Sequence, residues 1–122
     1  MRVELVVPQT VAAGAPVPVA IRIVNTTDRP LELHLQGRTI TFDLIVRRGD
    51  LVVWRRLEGR TAQAVLQLRM LAPGEVLELA DTWTQRDNGG RRVQPGKYTV
   101  SGTVPTDGEP IGAGPAFVAI GG

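Results

Sequence analysis

Apolar and polar residues alternate along almost the whole chain. Val3, Leu5 and Val7 alternate with Arg2 and Glu4, and Val17, Val19, Ile21 and Ile23 alternate with Pro18, Ala20 and Arg22. The cluster Asn25-Thr26-Thr27-Asp28 reads as a turn. Leu31, Leu33 and Leu35 then alternate with Glu32, His34 and Gln36, and Ile40, Phe42, Leu44 and Val46 with Thr39, Thr41 and Asp43. A period of two marks a strand with one buried and one wet face, the arrangement antiparallel sheets allow. Arg48-Gly49-Asp50 predicts a hairpin turn into Leu51 to Arg56, and a further strand is predicted from Val65 to Leu71. Pro8 to Gly14 breaks the pattern. Thr106 to Pro115 is expected to be flexible, with a last strand over Ala116 to Ile120.

Two Pro-Gly pairs punctuate the second half: Leu71-Ala72-Pro73-Gly74-Glu75 and Val93-Gln94-Pro95-Gly96-Lys97. Proline presets φ at the first central position of a tight turn, and glycine accepts the positive φ that a type II turn needs next. An alternating strand follows each pair. Leu77, Leu79 and Trp83 share a face of the first; Tyr98, Val100, Gly102 and Val104 share a face of the second. Tyr98, just inside a strand after a sharp turn, sits where a tyrosine corner falls. Gln63 to Met70 fits one or two helical turns, but Pro73 and Gly74 favour a strand ending in a hairpin. Eight or nine short strands at regular spacing predict an all-β fold, an Ig-like antiparallel β-sandwich. Trp54, Phe42 and Trp83 are expected to supply much of the packing between its sheets.

Several of these residues, in order and spacing, resemble the family of intracellular proteinase inhibitors of the BsuPI type. The match runs through Val53-Trp54-Arg55, Gln63-Ala64, Leu71 to Glu75, Trp83, Asp87 with Gly90, and Val93 to Val100. A weaker match covers Gly14 to Pro16, Val19, Ile21, Ile23 and Asn25. Trp54, Pro73, Gly74, Trp83, Pro95, Gly96 and Tyr98 are the structural core of this motif. The resemblance implies a non-catalytic inhibitor of an intracellular, subtilisin-like serine protease. The chain departs from the family after the Trp-Arg pair. Arg56 and Leu57 stand where members often carry an aromatic and a serine, and Ala62 where an aromatic precedes Gln-Ala.

Composition narrows the rest. At 122 residues the chain is expected to be one domain, residues 1–122. It is long enough to bury roughly two-thirds of the surface its unfolded chain exposes. Cysteine is absent, which rules out disulfides and thiolate metal sites and suits a reducing compartment. Met1 to Leu5 reads as a strand with a charge inside it, not as a secretory leader. A cytoplasmic location is therefore expected, with a domain cut from a longer protein left open. No apolar run approaches the length that spans a bilayer, so no membrane partner is expected. Fourteen basic residues against twelve acidic ones give +2, too little for long-range attraction to nucleic acid at physiological screening.

Catalytic and cofactor chemistries find little support. A Ser-His-Asp triad would need His34 and Ser101, the only histidine and serine, and both are predicted mid-strand on polar faces. The carboxylates Glu4, Glu32, Asp43, Glu78 and Asp81 lie on different strands with nothing to bring a catalytic pair together. Asp87-Asn88-Gly89-Gly90 and Asp107-Gly108-Glu109 place oxygens near glycines, as calcium loops do, but the same residues are ordinary turn chemistry. No enzyme activity, metal or cofactor is expected. Arg47, Arg48, Arg55 and Arg56 flank one hairpin beside Trp54, a basic-aromatic grouping found on nucleic-acid surfaces. A solvated edge strand is the preferred explanation, Trp54 has apolar neighbours that favour the core, and no nucleic-acid partner is expected. Arg48-Gly49-Asp50, an adhesion tripeptide by spelling, is best explained as the turn.

The loop after Trp54 is the remaining candidate. Inhibitors that imitate substrates present an exposed, extended loop on a rigid scaffold. Arg56, Leu57, Glu58, Gly59 and Arg60 are the candidate protein-binding residues; Leu57 would suit a subtilisin-like specificity pocket and Arg60 a trypsin-like one. The partner is then a serine protease or another protein. The alternative is a non-catalytic Ig-like interaction or accessory module without inhibitory activity.

Overall fold

The computed structural model describes residues 1–60 and 65–121. Ten strands follow in order: β1 (Arg2–Val6), β2 (Thr10–Ala12), β3 (Val17–Val24), β4 (Leu31–Gln36), β5 (Asp43–Arg48), β6 (Leu51–Arg55), β7 (Leu66–Leu71), β8 (Val76–Trp83), β9 (Gly96–Val104) and β10 (Ile111–Gly121). No helix occurs among the described residues, so the fold is all-β. The strands form a three-stranded sheet in the order β1-β3-β8, a five-stranded sheet β2-β10-β9-β5-β6 and a two-stranded ribbon β4-β7.

The alternation read from sequence sets which faces meet. Val17, Val19, Ile21 and Ile23 of β3 and Leu77, Leu79 and Trp83 of β8 are buried on one side; Leu44 and Val46 of β5 and Tyr98, Val100 and Val104 of β9 are buried on the other. Trp83 and Tyr98 join the two sheets edge to face, with ring centroids 5.5 Å apart. The sheets come close together at Gly102, since a Cβ there would fall 2.6 Å from Ile21 Cδ1 of the facing sheet. Each such buried aliphatic side chain contributes about 1.5–3 kcal/mol.

The predicted tyrosine corner is present: the Tyr98 hydroxyl donates to the Gln94 carbonyl. The Pro73-Gly74 turn also has the expected form. Gly74 has φ +79°, and the Glu75 N–H donates to the Ala72 carbonyl at 2.9 Å. The Pro95-Gly96 pair differs. Gly96 has φ +150° and already pairs with Ile120 as the first residue of β9, so the second pair opens a strand instead of closing a type II turn.

Other expectations need correction. The described residues form ten strands where eight or nine were expected. The break at Pro8 to Gly14 contains β2, which pairs parallel with β10 over Thr10 to Ala12; three residues are too few to show a period. The last strand starts at Ile111, inside the stretch expected to be flexible. A register shift between Ala113 and Ala116 interrupts its pairing with β9 and hides the alternation. Ile40 lies in a turn before β5. Phe42 and Trp83 are buried as expected, but Trp54 is only half-buried, because β6 is the outer strand of its sheet.

Three buried polar residues tie the loops to this frame. Asn25 donates from Nδ2 to the carbonyls of Arg29 and Leu71 at 2.7 and 2.9 Å. Gln85 donates to the carbonyls of Ala12 and Ala15 and accepts from the Gly14 N–H. The third, Asp43, lies under the candidate loop.

Candidate functional site: the loop after the β5–β6 hairpin

β6 delivers the chain to the loop at Arg55, and polar contacts hold it there. The Asp43 carboxylate, at the start of β5, is 4% exposed. Its Oδ2 accepts from Arg55 Nη2 at 3.0 Å and Nε at 3.3 Å, and its Oδ1 accepts from the Leu57 N–H at 3.0 Å. One carboxylate thus satisfies a guanidinium fork and a backbone donor, and such charge-assisted bonds are the strong kind. From the other side Asn88 behaves like a strand residue. Its Oδ1 accepts from the Arg55 N–H at 2.8 Å, and its Nδ2 donates to the Arg55 carbonyl at 3.0 Å. Asn88 therefore occupies part of the outer edge of β6, which would otherwise be open to pairing.

Arg56 is a strap. Its guanidinium lies 3.7 Å above the Phe42 ring. Its Nε meets Asp81 Oδ2 at 2.7 Å, and Nη1 donates to the Phe42 carbonyl at 2.7 Å. Burial works against the charge on Asp81, but the Thr82 N–H, Arg56 and, least, Arg60 outweigh it and hold the carboxyl below its ordinary range. Arg56, which replaces a residue often aromatic in the resembled family, thus binds the loop to β8.

Beyond Arg56 the chain makes two successive tight turns. The Glu58 N–H donates to the Arg55 carbonyl at 3.2 Å and the Arg60 N–H to the Leu57 carbonyl at 2.9 Å. Gly59, with φ +71°, supplies the left-handed residue of the second turn. Glu58, Gly59 and Arg60 are exposed, while Arg56 and Leu57 are half-buried. The expected extended loop is therefore a folded double turn over these residues. Thr61, Ala62, Gln63 and Ala64 lie outside the described residues, and with them the Gln63-Ala64 match and the departure at Ala62. A shallow groove of about 730 Å³ runs beside the loop base, lined among others by Val53, Arg55, Glu58 and Asn88.

The other candidates separate. His34 pairs with Glu32 and Asp107 at 3.3 and 2.9 Å, and Ser101 accepts from Arg47 at 3.3 Å. They stand on β4 and β9, in different sheets. Asp87 Oδ1 accepts from the N–H groups of Gly89 and Arg91, both at 2.9 Å, which is turn chemistry. No cluster of three or more metal-ligating side chains occurs among the described residues. The hairpin arginines do not form one patch: Arg55 and Arg56 are turned onto Asp43 and Asp81. No described helix is long and apolar enough to cross a membrane.

Sequence reasoning located the loop but missed Asp43, Asn88 and Asp81 as its supports. In the sequence Asp43 and Asp81 are strand positions and Asn88 part of a turn; what marks them is a contact far away in the chain.

The motif residues now have places. Trp83 and Tyr98 are core, Gly74 closes a turn, Gly96 opens a strand after Pro95, and Trp54 flanks the core edge. A family model described as "BsuPI: Intracellular proteinase inhibitor" matches residues 5–109. The chain belongs to this family. BsuPI proteins are inhibitors of proteinases, so a protease is the partner the assignment implies. Comparison with curated proteins finds no match.

Among solved structures the chain is similar to part of the alkylpurine DNA glycosylase AlkC of Pseudomonas fluorescens (TM-score 0.50, 16% identity). That likeness covers 99% of this chain and 29% of the other. It is also similar to a β-glucosidase of Listeria innocua (TM-score 0.48, 15% identity, 99% of this chain and 16% of that one). A CARDB domain from Pyrococcus furiosus gives TM-score 0.47 and 15% identity, with 97% and 89% covered. The chain spans under a third of the glycosylase and the glucosidase. At such identity the glycosylase likeness concerns the fold alone.

Proposed function

We propose that this BsuPI-family chain inhibits a subtilisin-like serine protease in the cytoplasm. The Arg56 to Arg60 loop would lie against the enzyme's active-site cleft. The observation that carries this reading is the fixing of the loop base by Asp43, Asn88 and Asp81. A loop already held in one shape loses little conformational freedom on binding. It also resists entering the active site as a flexible substrate would.

Within the loop the roles divide. Arg56 and Leu57 form the anchored base, and Glu58, Gly59 and Arg60 form the tip that meets the enzyme. The full contact would approach the usual size of about 800 Å² per partner. The alternative is a non-inhibitory accessory module, favoured by the recurrence of this fold as 29% of the longer glycosylase chain.

Titrating residual activity of subtilisin and of trypsin, with intact-mass analysis of the same samples, separates the two. Stoichiometric loss of activity with the chain intact supports inhibition, and Leu57→Ala and Arg60→Ala then test the loop. Full protease activity at high excess supports the accessory module.

A further inference from the structure

The strand that follows the loop has a different character. β7 pairs only with β4 among the described residues, so its opposite edge carries no ladder. The direction of its backbone groups follows from one bond. The Gly37 N–H donates to the Val65 carbonyl at 2.7 Å. Antiparallel alternation then turns the N–H and C=O of Gln67 and Arg69 toward β4, and those of Leu66, Leu68 and Met70 toward the free edge. The same three residues are 54%, 58% and 55% exposed. Exposed edge strands are usually blunted by charge, proline or a covering loop; these three positions carry neither charge nor proline.

We infer that the free edge of β7 pairs with a strand bordering the substrate cleft of the target protease, with Leu66, Leu68 and Met70 entering its apolar subsites. The inference rests on the inhibitor reading above and names the contact surface within it. Clefts of serine proteases hold polypeptide in extended form, by main-chain bonds along a strand and pockets for side chains. That is strand addition to an open edge, in which the backbone supplies affinity and alternate side chains supply specificity.

Three observations select this occupant. The loop tip is folded into turns and offers no extended backbone over its described residues, whereas β7 is extended. Only five peptide links separate Arg60 from Leu66's neighbour Val65, a span of at most about 18 Å, so one enzyme face can meet both. A six-residue strand in a two-strand ribbon presents only about 200 Å² of flat face. That is far below the roughly 800 Å² per partner of a stable complex, which makes this face too small to hold a second copy by itself but sufficient as part of a larger contact.

The test compares the wild-type chain with Leu68→Lys and Arg60→Ala against subtilisin and trypsin, with thermal melts of each and sedimentation of the wild type and Leu68→Lys. Leu68→Lys is expected to melt near the wild type and to weaken inhibition at least tenfold, more than Arg60→Ala does. Should the lysine variant fail to fold, Leu68→Thr keeps strand propensity and is expected to weaken inhibition in the same direction. Folded Leu68 variants that inhibit as well as the wild type overturn the β7 contact and leave the inhibitor reading standing. A wild-type dimer that Leu68→Lys converts to monomer overturns it in favour of a second copy. A wild type that inhibits neither subtilisin nor trypsin overturns the inhibitor reading, and this inference with it.

Discussion

The loop from Arg55 to Arg60 and the strand β7 are separated by five residues of the chain, yet opposite principles govern them. The loop is polar, and its polarity is spent inward: Asp43, Asn88 and Asp81 each accept from or donate to its first three residues. β7 carries four apolar residues beside Gln67 and Arg69, and three of them, Leu66, Leu68 and Met70, are exposed. Polar residues thus fasten a surface loop to its scaffold, while hydrophobic ones stand exposed on a strand. Composition alone would have assigned these roles the other way round. A polar loop is commonly taken as mobile, and an apolar strand as core.

The comparison can be broken from both sides, and the largest effect comes from neither. Trp83→Ala removes a fully buried ring of the shared core and is expected to cost about 3–5 kcal/mol. A denaturant titration showing no loss would remove Trp83 from the core. Asp43→Ala comes next. It leaves the Leu57 N–H and the Arg55 fork without their acceptor, at a cost of about 3 kcal/mol. If the loop is held as described, Leu57 and its neighbours should also exchange their amide protons faster, while β7 exchanges as before. Equal acceleration in both regions would show that they are not independent.

Asn88→Ala removes two exposed hydrogen bonds and should cost about 1 kcal/mol. It would also bare the edge of β6, so slow aggregation at high concentration is expected and light scattering would detect it. The smallest effect belongs to Asp81. Its carboxyl titrates lower in the folded chain than in the unfolded one. The stabilisation it brings is therefore complete above the unfolded value, about pH 3.9. It is lost as pH falls through the lower folded value. Melting curves of the wild type and Asp81→Asn should differ slightly near neutrality and converge in strong acid. A difference that persists in strong acid would mean that the carboxylate's charge is not what Arg56 feels.

What was legible in the sequence follows the same division. Trp83, Tyr98 and the buried faces of β3, β8 and β9 were legible because alternation and turn chemistry are local signals. The type II turn at Pro73-Gly74 was legible for the same reason. Its counterpart at Pro95-Gly96 was misread, because the pairing of Gly96 with Ile120 overrides the local preference. β2 was hidden by its three-residue length, and the first part of β10 by its register shift. At the loop, the tip was visible as a polar stretch containing Gly59. Its supports were not, since Asp43 and Asn88 act across 14 and 33 residues. The free edge of β7 was equally silent, because a sequence shows that a strand is apolar but not which strands will pair with it.

The most direct test of the account is amide hydrogen exchange of the chain alone and with subtilisin inactivated by replacing its nucleophilic serine with alanine, which leaves the cleft open. The account predicts protection on binding at Glu58 to Arg60 and at Leu66, Leu68 and Met70, with the rest of the chain unchanged. Protection confined to the Thr84 to Arg92 loop or to the outer face of the five-stranded sheet, or none at all, would contradict it.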